Sequence, residues 1–227
     1  MDYLHQFVFG IYPYIALAVF LLGSLIRFDR EQYSWKSDSS QMLHRGSLRA
    51  GNILFHVGII GLLLGHAAGL LTPVWVWDTL GVSHTLKQGV AMAAGGVMGG
   101  MCLVGALILL VRRFGNDRLR ATSTFKDKLV MLWILLTLLL GLSSIFVSAG
   151  HMDGHMMVLL MTWAQHVATF RGDAAGFIVD APLIFKLHLF MGMSLFVIFP
   201  FTRLVHVWSG FGALGYLGRA YQLVRPR

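Results

Sequence analysis

Two apolar stretches of this 227-residue sequence each carry two histidines: His56 and His66 in NILFHVGIIGLLLGHAAGLL, and His188 and His206 in LIFKLHLFMGMSLFVIFPFTRLVHVW. Imidazole is costly to place in hydrocarbon, so a histidine inside a membrane segment marks a functional site and calls for a named partner. Neither stretch contains a carboxylate, and the chain's one cysteine, Cys102, rules out a Cys-x-x-Cys motif. Four imidazoles on two apolar helices suggest two haems held without covalent attachment, each between two axial histidines. With both axial positions filled, such a site transfers electrons and neither binds oxygen nor transforms a substrate.

The spacing constrains the elements that must position these rings. Ten residues of helix rise roughly 15 Å and eighteen roughly 27 Å, so each helix carries one histidine toward each membrane surface. Two antiparallel helices then pair His56 with His206 and His66 with His188. The intervals differ by roughly 12 Å, which crossed axes, tilted rings and different side-chain directions must absorb. The competing explanation is four unrelated polar residues, each hydrogen-bonded to a neighbouring helix.

Composition fits such helices. The chain is 56% hydrophobic and 12% charged, the balance of a multi-span membrane protein. A lone cysteine leaves neither a disulfide framework nor a cysteine metal site. The start, MDYLHQFVFGIYPYIALAVFLLGSLIRF, lacks a basic n-region and a small-residue cleavage site, and reads as a retained first span. Five segments have the length to cross: about 7–26, 53–71, 88–111, 129–147 and 182–201, the last with a helical extension to Trp208. The expected fold is therefore all-α, an integral membrane bundle of five transmembrane helices forming one domain over residues 1–227. Gly95, Gly96, Gly99 and Gly100 suit close helix packing or a flat ligand against backbone.

Fifteen Lys or Arg fall in the segments 27–50, 112–128 and 203–227, against three on the opposite side, Lys87, Arg171 and Lys186. By the positive-inside rule the N-terminus lies outside, in the periplasm, and the C-terminus in the cytoplasm. The net charge of +8 is then a topology signal, and nucleic acid is not an expected partner. His56 and His206 lie toward the inner surface, His66 and His188 toward the outer. Between Ser148 and Asp180 the outer loop contains HMMVLLMTWAQHVATF, too short to span and expected to form an interfacial or re-entrant helix over the outer site.

Arg112, Arg113 and Arg203 are candidate partners for haem carboxylates at the inner edge, or plain snorkelling anchors. Lys87, one of three outer cations, is placed to bond a quinone carbonyl or quinol hydroxyl near His66, or to snorkel at the interface. His5, His44, His84, His151, His155 and His166 fall in loops or helix ends. The His151–His155 pair lacks a third metal ligand.

The segments IYPYIALAVFLLGSLIRFD, SSQML, LFHVGIIGLLLGHAAGLLTP, HMDG, FKLHLFMGMSLFVIFPFTRLVHVWS and YQLVR together resemble the gamma subunit family of membrane-bound respiratory nitrate reductase. The resemblance covers nearly the whole chain. It implies a cytochrome b with two haem b groups, ligated by His56 with His206 and His66 with His188, and a lysine, here Lys87, beside the outer quinol site. A short sequence shift before Lys87 departs from the family pattern. The implied function is quinol oxidation near the periplasmic side of the bacterial cytoplasmic (inner) membrane. Electrons are then passed to a cytoplasmic iron-sulfur (beta) subunit and a molybdenum catalytic (alpha) subunit that reduces nitrate to nitrite. This chain offers no iron-sulfur ligands and no nitrate site. Alternatives are a related cytochrome b serving another reductase, or a histidine-bearing transporter, although no repeat or interrupted helix is evident.

Overall fold

A computed structural model describes residues 2–31 and 46–209, and the described residues are helical with no strand. Lys36, His44, Arg45, Arg219, Arg225 and Arg227 lie outside them. Five helices have the length and hydropathy to cross a membrane: Tyr3–Glu31, Leu48–Leu71, His84–Gly115, Phe125–Ala149 and Leu183–Phe201. Even the last, with 19 residues, rises roughly 28 Å, about the thickness of the hydrocarbon layer. Leucines such as Leu63, Leu64 and Leu136 point outward, as lipid-facing side chains do. The chain is a multi-pass membrane protein.

In chain order the helices are α1 (Tyr3–Glu31), α2 (Gly46–Leu71), α3 (Val74–Thr79), α4 (His84–Gly115), α5 (Asp117–Thr122), α6 (Phe125–Ala149), α7 (His155–Ala168) and α8 (Leu183–Ile198). Local sequence sets several boundaries. Ser83 caps α4 by accepting from the Leu86 N–H, and Asn116 caps α5 through the N–H groups of Arg118 and Leu119. Thr124 and Asp127 form a capping box at the start of α6, satisfying donors the first turn leaves open.

The closest helix pair is α2 with α4, and glycines on both sides permit it. A Cβ on Gly58 would lie 2.5 Å from the Cys102 backbone nitrogen, and one on Gly105 would strike the Phe55 backbone. Of the four glycines singled out by sequence, only Gly99 is tightly enclosed, against Leu142, whereas a Cβ on Gly100 would meet nothing. Close backbone approach is what small residues contribute to helix association in lipid. Gly105→Val should therefore lower the thermal unfolding midpoint in detergent, with a destabilisation of at least ~1–3 kcal/mol. Gly100→Ala should leave that midpoint within error, and equal behaviour of the two variants would contradict the packing assignment.

Two expectations are corrected. The fifth span does not continue as α-helix to Trp208. After Ile198 the chain makes a 3-10 turn at Phe199–Phe201, passes through Thr202 in extended conformation, and makes a second 3-10 turn at Arg203–Val205 before helix resumes. Pro200 cannot donate into a continuing helix, and Thr202 restarts one by capping the Leu204 N–H. His206 therefore does not sit a straight eighteen residues from His188, and the mismatch between ten- and eighteen-residue spacings loses its premise. The second correction concerns Lys87. It is 7% exposed, so it is not a snorkelling side chain.

The short helix in the loop after the fourth span is present as α7. Trp163, Ala164 and Val167 of α7 pack with Phe9, Ala174, Ala175, Ile178 and Ala181, forming a buried cluster beside the start of α1. The Trp163 indole donates to the Phe9 carbonyl at 2.9 Å, inside a π-helical turn of α1 at Phe7–Ile11.

Candidate functional site

The four membrane histidines meet in the two pairs that the spacing suggests. The His56 and His206 rings lie 6.2 Å apart between centres, and the His66 and His188 rings 6.0 Å apart. α2 is held mainly by α4 and α7, and α8 by α6 and α1. The rings thus face one another where α2 and α8 have no extensive packing of their own.

Each ring is oriented by its Nδ1 atom. His56 bonds the Asn52 carbonyl at 2.9 Å, His66 the Leu62 carbonyl at 2.7 Å, His188 the Thr137 carbonyl at 3.0 Å and His206 the Arg203 carbonyl at 2.6 Å. A carbonyl only accepts, so in all four rings Nδ1 carries the hydrogen and the neutral imidazole keeps its lone pair on Nε2. That is the orientation of a metal-binding histidine with its other nitrogen engaged by backbone. Two metal–nitrogen bonds of about 2 Å, extended to the ring centres, separate those centres by about 6 Å. Both pairs match. Two imidazole nitrogens per pair suit a metal that brings its remaining ligands with it.

The two α2 histidines use carbonyls of their own helix. His206 uses the Arg203 carbonyl three residues before it and only His188 reaches another helix, but the segment that carries His206 is itself held by a neighbour. Breaking the span at Thr202 frees carbonyls that would be costly in an apolar setting, and Arg27 of α1 donates through Nη1 to both Pro200 O and Thr202 O at 2.8 Å. Phe20 packs on Phe196, Phe199 and Trp208, and the Trp208 indole donates to the Ser24 hydroxyl at 3.2 Å. α1 therefore fixes the segment that carries His206. In sequence Arg27 counts only as a cation. At this end Arg113 and Arg203 share Asp127, at 3.6 and 3.7 Å, and Arg112 occupies the last turn of α4 beside them.

At the His66 end, Lys87 donates through Nζ to the Gly69 carbonyl at 3.1 Å and to the Met161 sulfur at 2.7 Å, and lies 4.4 Å from the centre of the Trp77 ring. A cation in the first turns of its own helix opposes the macrodipole, whereas at the C-terminus of α2 it is favourable. Gln165 completes this end by donating to the carbonyls of Leu70 and Thr72. Gln88, which sequence does not single out, is a fully bonded buried amide. It donates to Ser148 O and His151 O and accepts from Gly154 N–H, tying the α6–α7 connection to α4. His166 bonds Asp173 at 2.7 Å and holds that carboxyl below its ordinary range. His5, His84 and His155 occupy helix ends and His151 the α6–α7 connection, apart from the two pairs.

The family model of the nitrate reductase gamma subunit matches residues 5–227. The chain belongs to that family. Respiratory nitrate reductase 1 gamma chain of Escherichia coli (strain K12) is 48% identical over 227 residues, covering all of both chains. The respiratory nitrate reductase 2 gamma chain of the same strain is 45% identical, over all of this chain and 99% of its own. The nitrate reductase gamma chain of Bacillus subtilis (strain 168) is 36% identical over 98% of each. This gamma subunit is thus a membrane component of an oxidoreductase complex.

Proposed function

We propose that this gamma subunit is the quinol-oxidising dihaem cytochrome b of a respiratory nitrate reductase. Its place is the bacterial inner membrane, with the N-terminus periplasmic and the C-terminus cytoplasmic, as the fifteen-to-three distribution of basic residues favours. The observation that carries the reading is the double coincidence of two facing imidazole pairs at metal-bridging distance, with all four Nε2 lone pairs spare.

A haem b held between two imidazoles supplies reversible one-electron transfer without an open coordination position. His56 and His206 would hold one group near the cytoplasmic surface, and His66 and His188 the other near the periplasmic surface. Arg112 is the cation we assign to a haem carboxylate at the cytoplasmic edge. Lys87 forms the quinol site beside the haem that His66 would ligate: Lys87 has three donors and spends two on Gly69 and Met161, leaving one for a quinol oxygen, while both nitrogens of His66 are engaged, Nδ1 by Leu62 O and Nε2 by the iron. Both quinol protons leave on the periplasmic side. The electrons reach an iron-sulfur (beta) subunit and a molybdenum catalytic (alpha) subunit, which dock on the cytoplasmic face beside Asp127, Arg113 and Arg203 and reduce nitrate.

Absorption spectroscopy of the purified chain tests the reading. Two b-type haems per chain, with reduced spectra of low-spin bis-imidazole iron, are expected. A folded, colourless protein would overturn it.

A further inference from the structure

Of the four paired histidines, His188 alone takes its orienting bond from another membrane span. Its Nδ1 donates 3.0 Å to the carbonyl of Thr137 on α6, fifty-one residues away. Inside a helix the carbonyl of residue 137 points along the axis toward the N–H of residue 141, and a side chain there would stand between the carbonyl and an approaching ring. Residue 141 is glycine. A Cβ at Gly141 would lie 2.8 Å from His188 Cε1, 3.3 Å from Nδ1 and 3.4 Å from Nε2, so it would crowd the whole ring. One turn toward the N-terminus of α6, the Trp133 indole donates to the Met191 carbonyl of α8 at 3.1 Å, and the Thr137 hydroxyl folds back onto Trp133 O at 2.8 Å. Two bonds in opposite directions, His188 to Thr137 and Trp133 to Met191, therefore lock the register of α6 against α8 at the height of His188.

We propose that Gly141 and the Thr137 carbonyl form an orienting seat for the His188 imidazole, with Trp133 holding α6 in register. Gly141 is a positioning residue: it admits the ring to a carbonyl that any larger residue would screen. The Nδ1–H bond fixes the ring plane and strengthens Nε2 as a donor, as backbone partners of metal-bound histidines do. His66, anchored on its own helix, has no such dependence on α6. A disturbance of α6 at Gly141 is thus felt first by one ring of one pair, since the link from α6 toward the His56–His206 pair, the Asp127–Arg203 ion pair, lies at the other end of the helix. The inference rests on the dihaem reading of the histidine pairs.

The test uses the intact membrane-bound complex and compares wild type, Gly141→Ala and, as a control for glycine replacement at a helix contact, Gly95→Ala, whose Cβ would meet only Ile145 at 3.9 Å. Readouts are haem content per complex, the low-spin electron paramagnetic resonance signal of each haem, which responds to axial ring orientation, and each midpoint potential. Gly141→Ala is expected to shift the signal and potential of the His66–His188 haem, or to lose that haem, while the other stays as in wild type and Gly95→Ala matches wild type throughout. Two unaltered haems in Gly141→Ala overturn the seat. Should Gly141→Ala not accumulate, Trp133→Phe decides: a shift confined to the same haem upholds the proposal, and two unmoved signals overturn it. A wild-type complex whose gamma subunit lacks two haems would instead refute the reading beneath it, a separate outcome.

Discussion

Alanine at His66 or His188 is expected to remove the periplasmic-side haem and bring quinol-driven nitrate reduction down to background. Alanine at His56 or His206 should give the same loss of turnover by a different route, keeping the periplasmic-side haem reducible by quinol while electrons cannot leave. On the proposed dihaem reading, rings whose centres are 6.0 and 6.2 Å apart would each supply one of two axial ligands, and one imidazole of a pair would not hold low-spin iron alone. Reduced-minus-oxidised spectra of the four variants, recorded with quinol and then with dithionite, separate the two classes. Identical loss of all haem in all four would sink the two-site assignment.

Lys87→Ala carries the second large effect. The side chain is buried against Trp77, Met161 and the Gly69 carbonyl, three residues beyond His66. Losing a hydrogen bond from a charged donor to the quinol costs roughly 1.5–3 kcal/mol, about ten- to a hundred-fold in quinol affinity. Turnover at subsaturating quinol should fall by that factor with both haem spectra intact, and nitrate reduction by an artificial donor acting on the catalytic partners should persist. Altered spectra would make Lys87 a cap of α2 that positions His66. Unchanged turnover would remove it from the quinol site.

Spans and histidine pairing were legible in sequence because both rest on simple regularities, hydropathy over some twenty residues and the rise of a helix. The outline failed where one residue answers to another far away. In sequence the apolar run carries helix through Pro200 to Trp208, whereas the extended conformation of Thr202 depends on Arg27, which binds the freed carbonyls from 173 and 175 residues away. Lys87 was visible as a rare cation, but its burial depends on the C-terminal carbonyls of α2 and on Met161 of α7. Gly141 lies in the run LLLGLSS, where nothing local separates it from a packing glycine such as Gly99; the ring of His188 makes the distinction.

The grip of Arg27 on Pro200 and Thr202 also bears on how the protein is made. Both halves of the contact are fixed only when the last span docks on the first, which leaves the ribosome at the opposite end of synthesis. Each histidine pair likewise joins an early helix to the latest one, so His56 and His66 wait through three further spans for their partners. Contacts of such long sequence separation form slowly. A nascent chain stalled before Thr202 has all five membrane spans but no completed His56–His206 pair, so that pair closes only after the last span has been made.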